Sequence, residues 1–183
     1  MKKKLLHIVD MQNDFVMANG KLPVAGAESL IEPANEFLRN AKFDKIIATF
    51  DTHYGSTYHK TEEAEMFPSH CLYGTNGWNL AIDVDVKNYE KVLKTEFDVW
   101  AYPPKAIQKA LNGFSPENTD VYIMGVASDF CVKYAVLGYM HRGYPVTIIK
   151  DLCRGINTQI ETVFKNYKNA IDMTTAEQLQ NKR

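Results

Sequence analysis

The twenty residues from Asp120 to Tyr139, DVYIMGVASDFCVKYAVLGY, constrain the fold more than any other part of the chain. Asp120 to Val126 is an apolar, β-rich run broken at Gly125, and Val132, Ala135, Val136, Tyr139 and Met140 then recur at helical spacing. The pattern predicts a buried strand, a tight turn and a helix. Cys131 falls in the first turn of that helix, where unpaired backbone N–H groups and the helix dipole favour a thiolate. Cys131 is therefore a candidate nucleophile. The alternative is a small buried apolar residue, which describes most free cysteines.

Other segments repeat the alternation of strand and helix. Leu5 to Val9 reads as a first strand closed by Asp10, Lys45 to Phe50 as a second leading into Asp51 and His53, and Glu90 to Leu93 as a third ending at Lys94. Pro145 to Lys150 is the fifth strand and Ala170 to Thr174 the sixth. Leu30, Ile31, Ala34, Phe37 and Leu38 mark a helix that should start near Glu28 or Ser29, since Pro33 is tolerable only near the first turn. Pro104 to Leu111, with Gly113 beyond it, makes a short helix. Thr158 and Glu161 make a capping-box pattern ahead of a last one, and the polar tail to Arg183 should fray. The reading is an α/β fold: a three-layer, six-stranded, mostly parallel sheet with helices on both faces, in a single domain over residues 1–183. Thr52 to Asn88 shows no sustained periodicity, and a stretch that long in a compact domain is usually functional.

Charge and cysteine usage exclude several classes. The 21 Lys and Arg are balanced by 22 Asp and Glu, for a net charge of −1, which argues against a nucleic-acid partner. No apolar run approaches the roughly 18 residues of a membrane span, and Leu5 to Val9 is too short for a signal-peptide core, so a cytoplasmic location is expected. Three cysteines, Cys71, Cys131 and Cys153, with no CxxC indicate neither a disulfide framework nor a cysteine zinc site.

In parallel sheets ligands bind beyond the carboxyl ends of the strands, where Asp10, Asp51, His53, Lys94 and Cys131 all fall. A cysteine nucleophile needs a proton acceptor and a cation to favour the thiolate. Asp10 and Lys94, brought together by adjacent strands, would supply both; taken singly, Asp10 could be a turn cap and Lys94 a solvated strand-end charge. The Ala127 and Cys131 N–H groups on the turn could form an oxyanion hole, while Asp129 fits a helix N-cap. A second constellation is Asp51, His53, His59, Glu63 and His70. Asp51 and His53, two apart, face one side of an extended chain, and three of the five histidines lie in this one loop. Imidazoles and carboxylates together suit Zn²⁺, Mn²⁺ or Fe²⁺. The alternative is a polar loop whose histidines face solvent.

These motifs resemble the isochorismatase-like cysteine hydrolase superfamily, and within it the nicotinamidases (pyrazinamidases). The matching stretches are HIVDMQNDF around Asp10, FDTH around Asp51 and His53, FPSHCLYGT around His70, KTEFDVW around Lys94 and GVASDFCV around Cys131, spanning Leu5 to Val132. The resemblance implies an isochorismatase-like, Rossmann-type fold with Cys131 as nucleophile, Asp10 as proton shuttle, Lys94 as the triad's cation, and a cis peptide at Val126-Ala127 that aims the Ala127 N–H into the site. It implies one divalent metal, zinc or else manganese or iron, on Asp51, His53 and His70, with Glu63 as fourth ligand or His59 in its place. Phe15, Phe67 and Phe97 match positions that sandwich a pyridine ring; ordinary core packing is the alternative for each. The implied reaction hydrolyses nicotinamide to nicotinate and ammonia through a cysteine thioester, in NAD salvage. Relatives are commonly dimers or larger, so a homo-oligomer is expected.

Typical relatives have tryptophan where this chain has Thr52 and a second proline where it has Ser69, departures expected to touch pocket shape. The rival readings are a metal-free hydrolase of another small amide or ureido compound, and a catalytically silent binding relative. A thiol-redox role lacks a resolving cysteine nearby in sequence.

Overall fold

Short apolar runs buried on both sides become strands of a parallel sheet. The computed structural model describes residues 2–84, 89–101 and 103–181, and in it six runs do so. They are Lys3–Val9 (β1), Lys45–Asp51 (β2), Tyr89–Lys94 (β3), Thr119–Val126 (β4), Val146–Arg154 (β5) and Asp172–Thr174 (β6). The order across the sheet is β3-β2-β1-β4-β5-β6, and each of these strands pairs parallel with its neighbours. The helices are Asn13–Val16 (α1), Ile31–Asn40 (α2), Glu63–Met66 (α3), Lys105–Ala110 (α4), Cys131–His141 (α5), Ile160–Val163 (α6) and Ala176–Asn181 (α7).

Alternation along β1 divides two cores. Leu5 and Val9, with Ile47, Ile123 and Ile148, pack under Ile107 of α4 and Val132, Val136 and Tyr139 of α5. Leu6 and Ile8, with Ala48, Met124 and Ile149, pack against Phe15 and Val16 of α1 and Ala34 and Phe37 of α2. This is the three-layer arrangement read from the sequence. At about 1.5–3 kcal/mol for each large apolar side chain fully buried, these two faces hold the layers together.

Several local expectations change. A 3-10 turn over Ala27–Leu30 precedes α2, which begins at Ile31 with Pro33 in its first turn. The loop from Thr52 onward contains single turns at Tyr58–Lys60, Glu63–Met66 and Asn76–Trp78, each too short to leave a periodic signal; residues 85–88 of it lie outside the described residues. The capping box at Thr158 does not form, because α6 is capped at Gln159 without a side-chain hydrogen bond. The tail is not frayed over Ala176–Asn181: Asp151 accepts the Ala176 N–H at 3.0 Å and Thr175 Oγ1 accepts the Gln178 N–H at 3.2 Å, which tie α7 down. Residues 182–183 lie outside the described residues. No helix among the described residues is long and apolar enough to cross a membrane.

Two features predict measurable stability effects. Gly125 pairs with Val9 at φ 131°, and a Cβ there would stand 2.1 Å from the Val9 carbonyl oxygen. Gly125→Ala should cost at least about 1–3 kcal/mol in urea unfolding; an unchanged midpoint would refute the close approach. His7 is wholly buried beside the Tyr139 ring, with no hydrogen-bond partner for either nitrogen among the described residues. Burial, reinforced by the Lys94 charge, holds its pKa down at about 3. Below the unfolded-state value of about 6.5 the unfolded chain takes up a proton that the native state refuses, so stability falls as pH drops from there toward 3. His7→Leu should flatten that acid limb by up to about 1.4 kcal/mol per pH unit between pH 6 and 4, read from urea midpoints.

Candidate active site

The strand order places the site. β2 and β3 lie to one side of β1 and β4 to β6 to the other, so the chain changes direction at the β1/β4 crevice, where ligands bind in such sheets. Asp10 follows β1 with a left-handed φ of 48°, Asp51 ends β2, Lys94 ends β3, and Cys131 opens α5 after β4. Asp10 and Lys94 do not come from adjacent strands as expected, because β2 lies between them. The long Lys94 side chain instead crosses Asp51. Its Nζ lies 2.8 Å from Asp10 Oδ2 and 3.2 Å from Asp51 Oδ1, and donates to Glu96 O at 3.1 Å and to Cys131 Sγ at 3.5 Å.

Burial governs the electrostatics here, since Asp10, Lys94 and Cys131 are 0%, 7% and 6% exposed. Desolvation raises the Asp10 pKa against the opposing pull of Lys94. Desolvation also pushes the Cys131 thiol well up; Lys94 pulls it down, but Asp10 and Asp51 add to the rise. The Lys94 ammonium is held well above its ordinary range by Asp10 and Asp51 in spite of burial. Burial thus works against the thiolate expected at a helix terminus and raises the basicity of the carboxylate beside it.

Asp51 faces a second group. Its Oδ2 lies 2.9 Å from His53 Nε2 and 3.1 Å from His70 Nε2, while Glu63 Oε2 lies 3.1 Å and 3.6 Å from the same nitrogens. All four side chains are buried, and their nearest ligand atoms fall within 4.8 Å of one another. His59 is exposed and outside this group, and α3 places Glu63 rather than His59 beside Asp51, His53 and His70. His70 Nδ1 donates to Pro68 O at 2.7 Å, which turns its Nε2 toward the carboxylates. Burial lowers the pKa of both imidazoles, yet their hydrogen bonds to Asp51 and the nearby Glu63 carboxylate bring each up to about 9. Neither Glu63 oxygen has a well-directed hydrogen bond among the described residues. Two imidazole nitrogens and two carboxylates converging with coordination capacity to spare fit a divalent metal.

Sequence reasoning missed Gln12, which positions Asp51. Its Oε1 accepts the Asp51 N–H at 2.8 Å, and its Nε2 donates to Asp51 O and Trp78 O, each at 2.9 Å. A buried amide within the stretch that also carries Asp10 was the available signal.

Between the two groups lies a small apolar pocket with about 20 Å³ of free space. Phe15, Phe67 and Phe97 line it, together with Leu22, Val24, Phe130 and Ile156, which the sequence had not marked. Phe67 meets Phe97 and Phe130 edge-on at 6.1 and 5.7 Å. Asp51 and His70 border the pocket at the metal-binding group, Ala127 and Cys131 at the nucleophile. The Val126-Ala127 peptide is cis, and neither the Ala127 nor the Cys131 N–H has an acceptor among the described residues. Thr52 and Ser69 do not line this pocket; Thr52 Oγ1 instead donates to Phe50 O at 2.9 Å and accepts from Trp78 Nε1 at 3.0 Å. Asp129 is not the N-cap of α5, a place taken by Phe130 without a side-chain bond. Its carboxylate accepts from the backbone N–H groups of Ile156, Asn157 and Thr158.

Known proteins resemble this chain in sequence and fold. A nicotinamidase of Saccharomyces cerevisiae is 29% identical over 202 residues, covering 88% of this chain and 93% of that protein. A nicotinamidase of Escherichia coli is 29% identical over 185 residues, covering 87% and 86%. The crystal structure of a pyrazinamidase of Pyrococcus horikoshii in complex with zinc aligns with a TM-score of 0.78 at 26% identity, covering 94% of this chain and 99% of that one. The isochorismatase domain profile matches residues 4–178, nearly the whole length, and the chain belongs to that family.

Proposed function

We propose that the protein is an amidohydrolase that converts nicotinamide to nicotinate and ammonia, the step that returns the pyridine ring to NAD salvage. One observation carries the reading: a buried thiol with a carboxylate and an ammonium beside it opens onto the same ring-lined pocket as a buried Asp-His-Glu-His group. Relatives named nicotinamidase and pyrazinamidase support it.

Phe15, Phe67 and Phe97 would hold the flat ring, and the pocket would place its carboxamide carbon against Cys131 Sγ, which is catalysis by positioning. Asp51, His53, Glu63 and His70 would hold the metal, with zinc the favoured ion in view of the zinc-containing pyrazinamidase; when bound, it supplies a Lewis-acidic anchor for the ring nitrogen. Asp10 takes the thiol proton as sulfur attacks, a transfer eased by its raised basicity. The Ala127 and Cys131 N–H groups receive the developing oxyanion. Collapse breaks the C–N bond, Asp10 passes its proton to the departing ammonia, and a thioester to Cys131 remains. Water adds to the thioester, losing a proton to Asp10, and nicotinate leaves as the thiol is restored. Throughout, the Lys94 ammonium offsets the Asp10 and Asp51 charges.

Cys131→Ala should lower ammonia release from nicotinamide on the order of 10³-fold or more while metal content and circular dichroism stay at parent values; turnover at the parent rate would remove Cys131 from the chemistry. Chelation should abolish turnover and zinc, manganese or iron should restore it. His70→Ala should cut bound metal, measured by elemental analysis, and raise KM for nicotinamide. A metal-stripped protein working on nicotinamide at full speed would remove the metal from the reading. A protein that binds no metal and leaves nicotinamide intact would favour the metal-free hydrolase of another small amide.

A further inference from the structure

About 20 Å³ of free space admits a water-sized probe and little more. A pyridine carboxamide therefore enters only if part of the wall yields. Phe15 is buried and Phe67, Phe97 and Phe130 brace one another, whereas Ile156 is 36% exposed and lies on the short loop between β5 and α6. Among the described hydrogen bonds, the N–H groups of Ile156, Asn157 and Thr158 all go to Asp129, at 2.9, 2.7 and 3.2 Å. Gly155 completes the clamp. A Cβ there would stand 2.0 Å from Thr158 O and 3.1 Å from Asp129 Oδ1, so only glycine lets the loop fold this tightly onto the carboxylate. Asp129 is two residues before Cys131, and one short segment therefore carries the thiol and grips the loop opposite it.

We infer that Ile156 is the roof of the pocket and a specificity-determining residue, and that Asp129 is the positioning residue that holds it there. Resting on the amidohydrolase reading, the inference makes Ile156 the residue that limits the ring substituents the pocket accepts. A methyl group on the ring would meet the Ile156 side chain, and one methylene in an apolar pocket discriminates by about 10–200-fold.

The test compares the parent protein with Ile156→Ala and Asp129→Asn by the rate at which iodoacetamide labels each cysteine, resolved by peptide mass spectrometry. Asn keeps the size of Asp but offers one acceptor oxygen fewer to the loop. Both variants should label Cys131 at least about 5-fold faster, with Cys71 and Cys153 unchanged. Ile156→Ala should also raise kcat/KM for at least one ring-methylated nicotinamide about 10-fold relative to nicotinamide. No change at Cys131, or equal acceleration at all three cysteines as in general loosening, overturns the roof. Acceleration with Ile156→Ala alone overturns the clamp. Should the parent release no ammonia from nicotinamide, the amidohydrolase reading fails, while the labelling rates still decide the roof.

Discussion

A single buried ammonium holds the site together. Lys94 Nζ stands among Asp10, Asp51 and Cys131 at 2.8, 3.2 and 3.5 Å. Buried carboxylates are costly unless paired, and Lys94 pairs with both Asp10 and Asp51. Asp51 makes the coupling reach further, since its Oδ1 meets Lys94 and its Oδ2 meets both imidazoles. The Asp10-Lys94-Cys131 cluster and the Asp51-His53-Glu63-His70 group therefore meet at one carboxylate.

The sheet makes this arrangement possible. Parallel strands end on one edge, so residues from four separate segments arrive at the same level. β4 approaches β1 closely at Gly125, which sets the turn bearing Ala127 and Cys131 beside Asp10. Gln12 fixes Asp51 through the backbone rather than the carboxylate, leaving both oxygens of that carboxylate to the site.

The pattern in the chain that carries its main elements was legible because strands and helices of ordinary length repeat their chemistry. Asp120 to Tyr139 has the 2-to-3.6 switch of a strand feeding a helix, and the structure has β4 and α5 there. Strand-end residues were legible for the same reason, since Asp10, Asp51 and Lys94 stand where apolar runs stop. The segment after Thr52 was not, because its single turns are held by contacts to distant residues. The turn at Asn76–Trp78, for example, accepts from Asn13 Nδ2 at 2.8 Å and from Gln12 Nε2 at 2.9 Å. Asp129 shows the same limit: an acidic residue before a helix looks like its cap, yet its partners are 27 to 29 positions away.

The sequence by itself determined the family, the fold class, and the candidate residues for both groups, because motif spacing and apolar periodicity are local properties of the chain. The tertiary structure placed Glu63 rather than His59 beside Asp51, His53 and His70, carried Lys94 across an intervening strand, and brought Ile156 and Cys131 to one pocket. Each of these depends on which distant segments meet and how much water they exclude, and neither burial nor long-range contact is written in the spacing of residues along the chain.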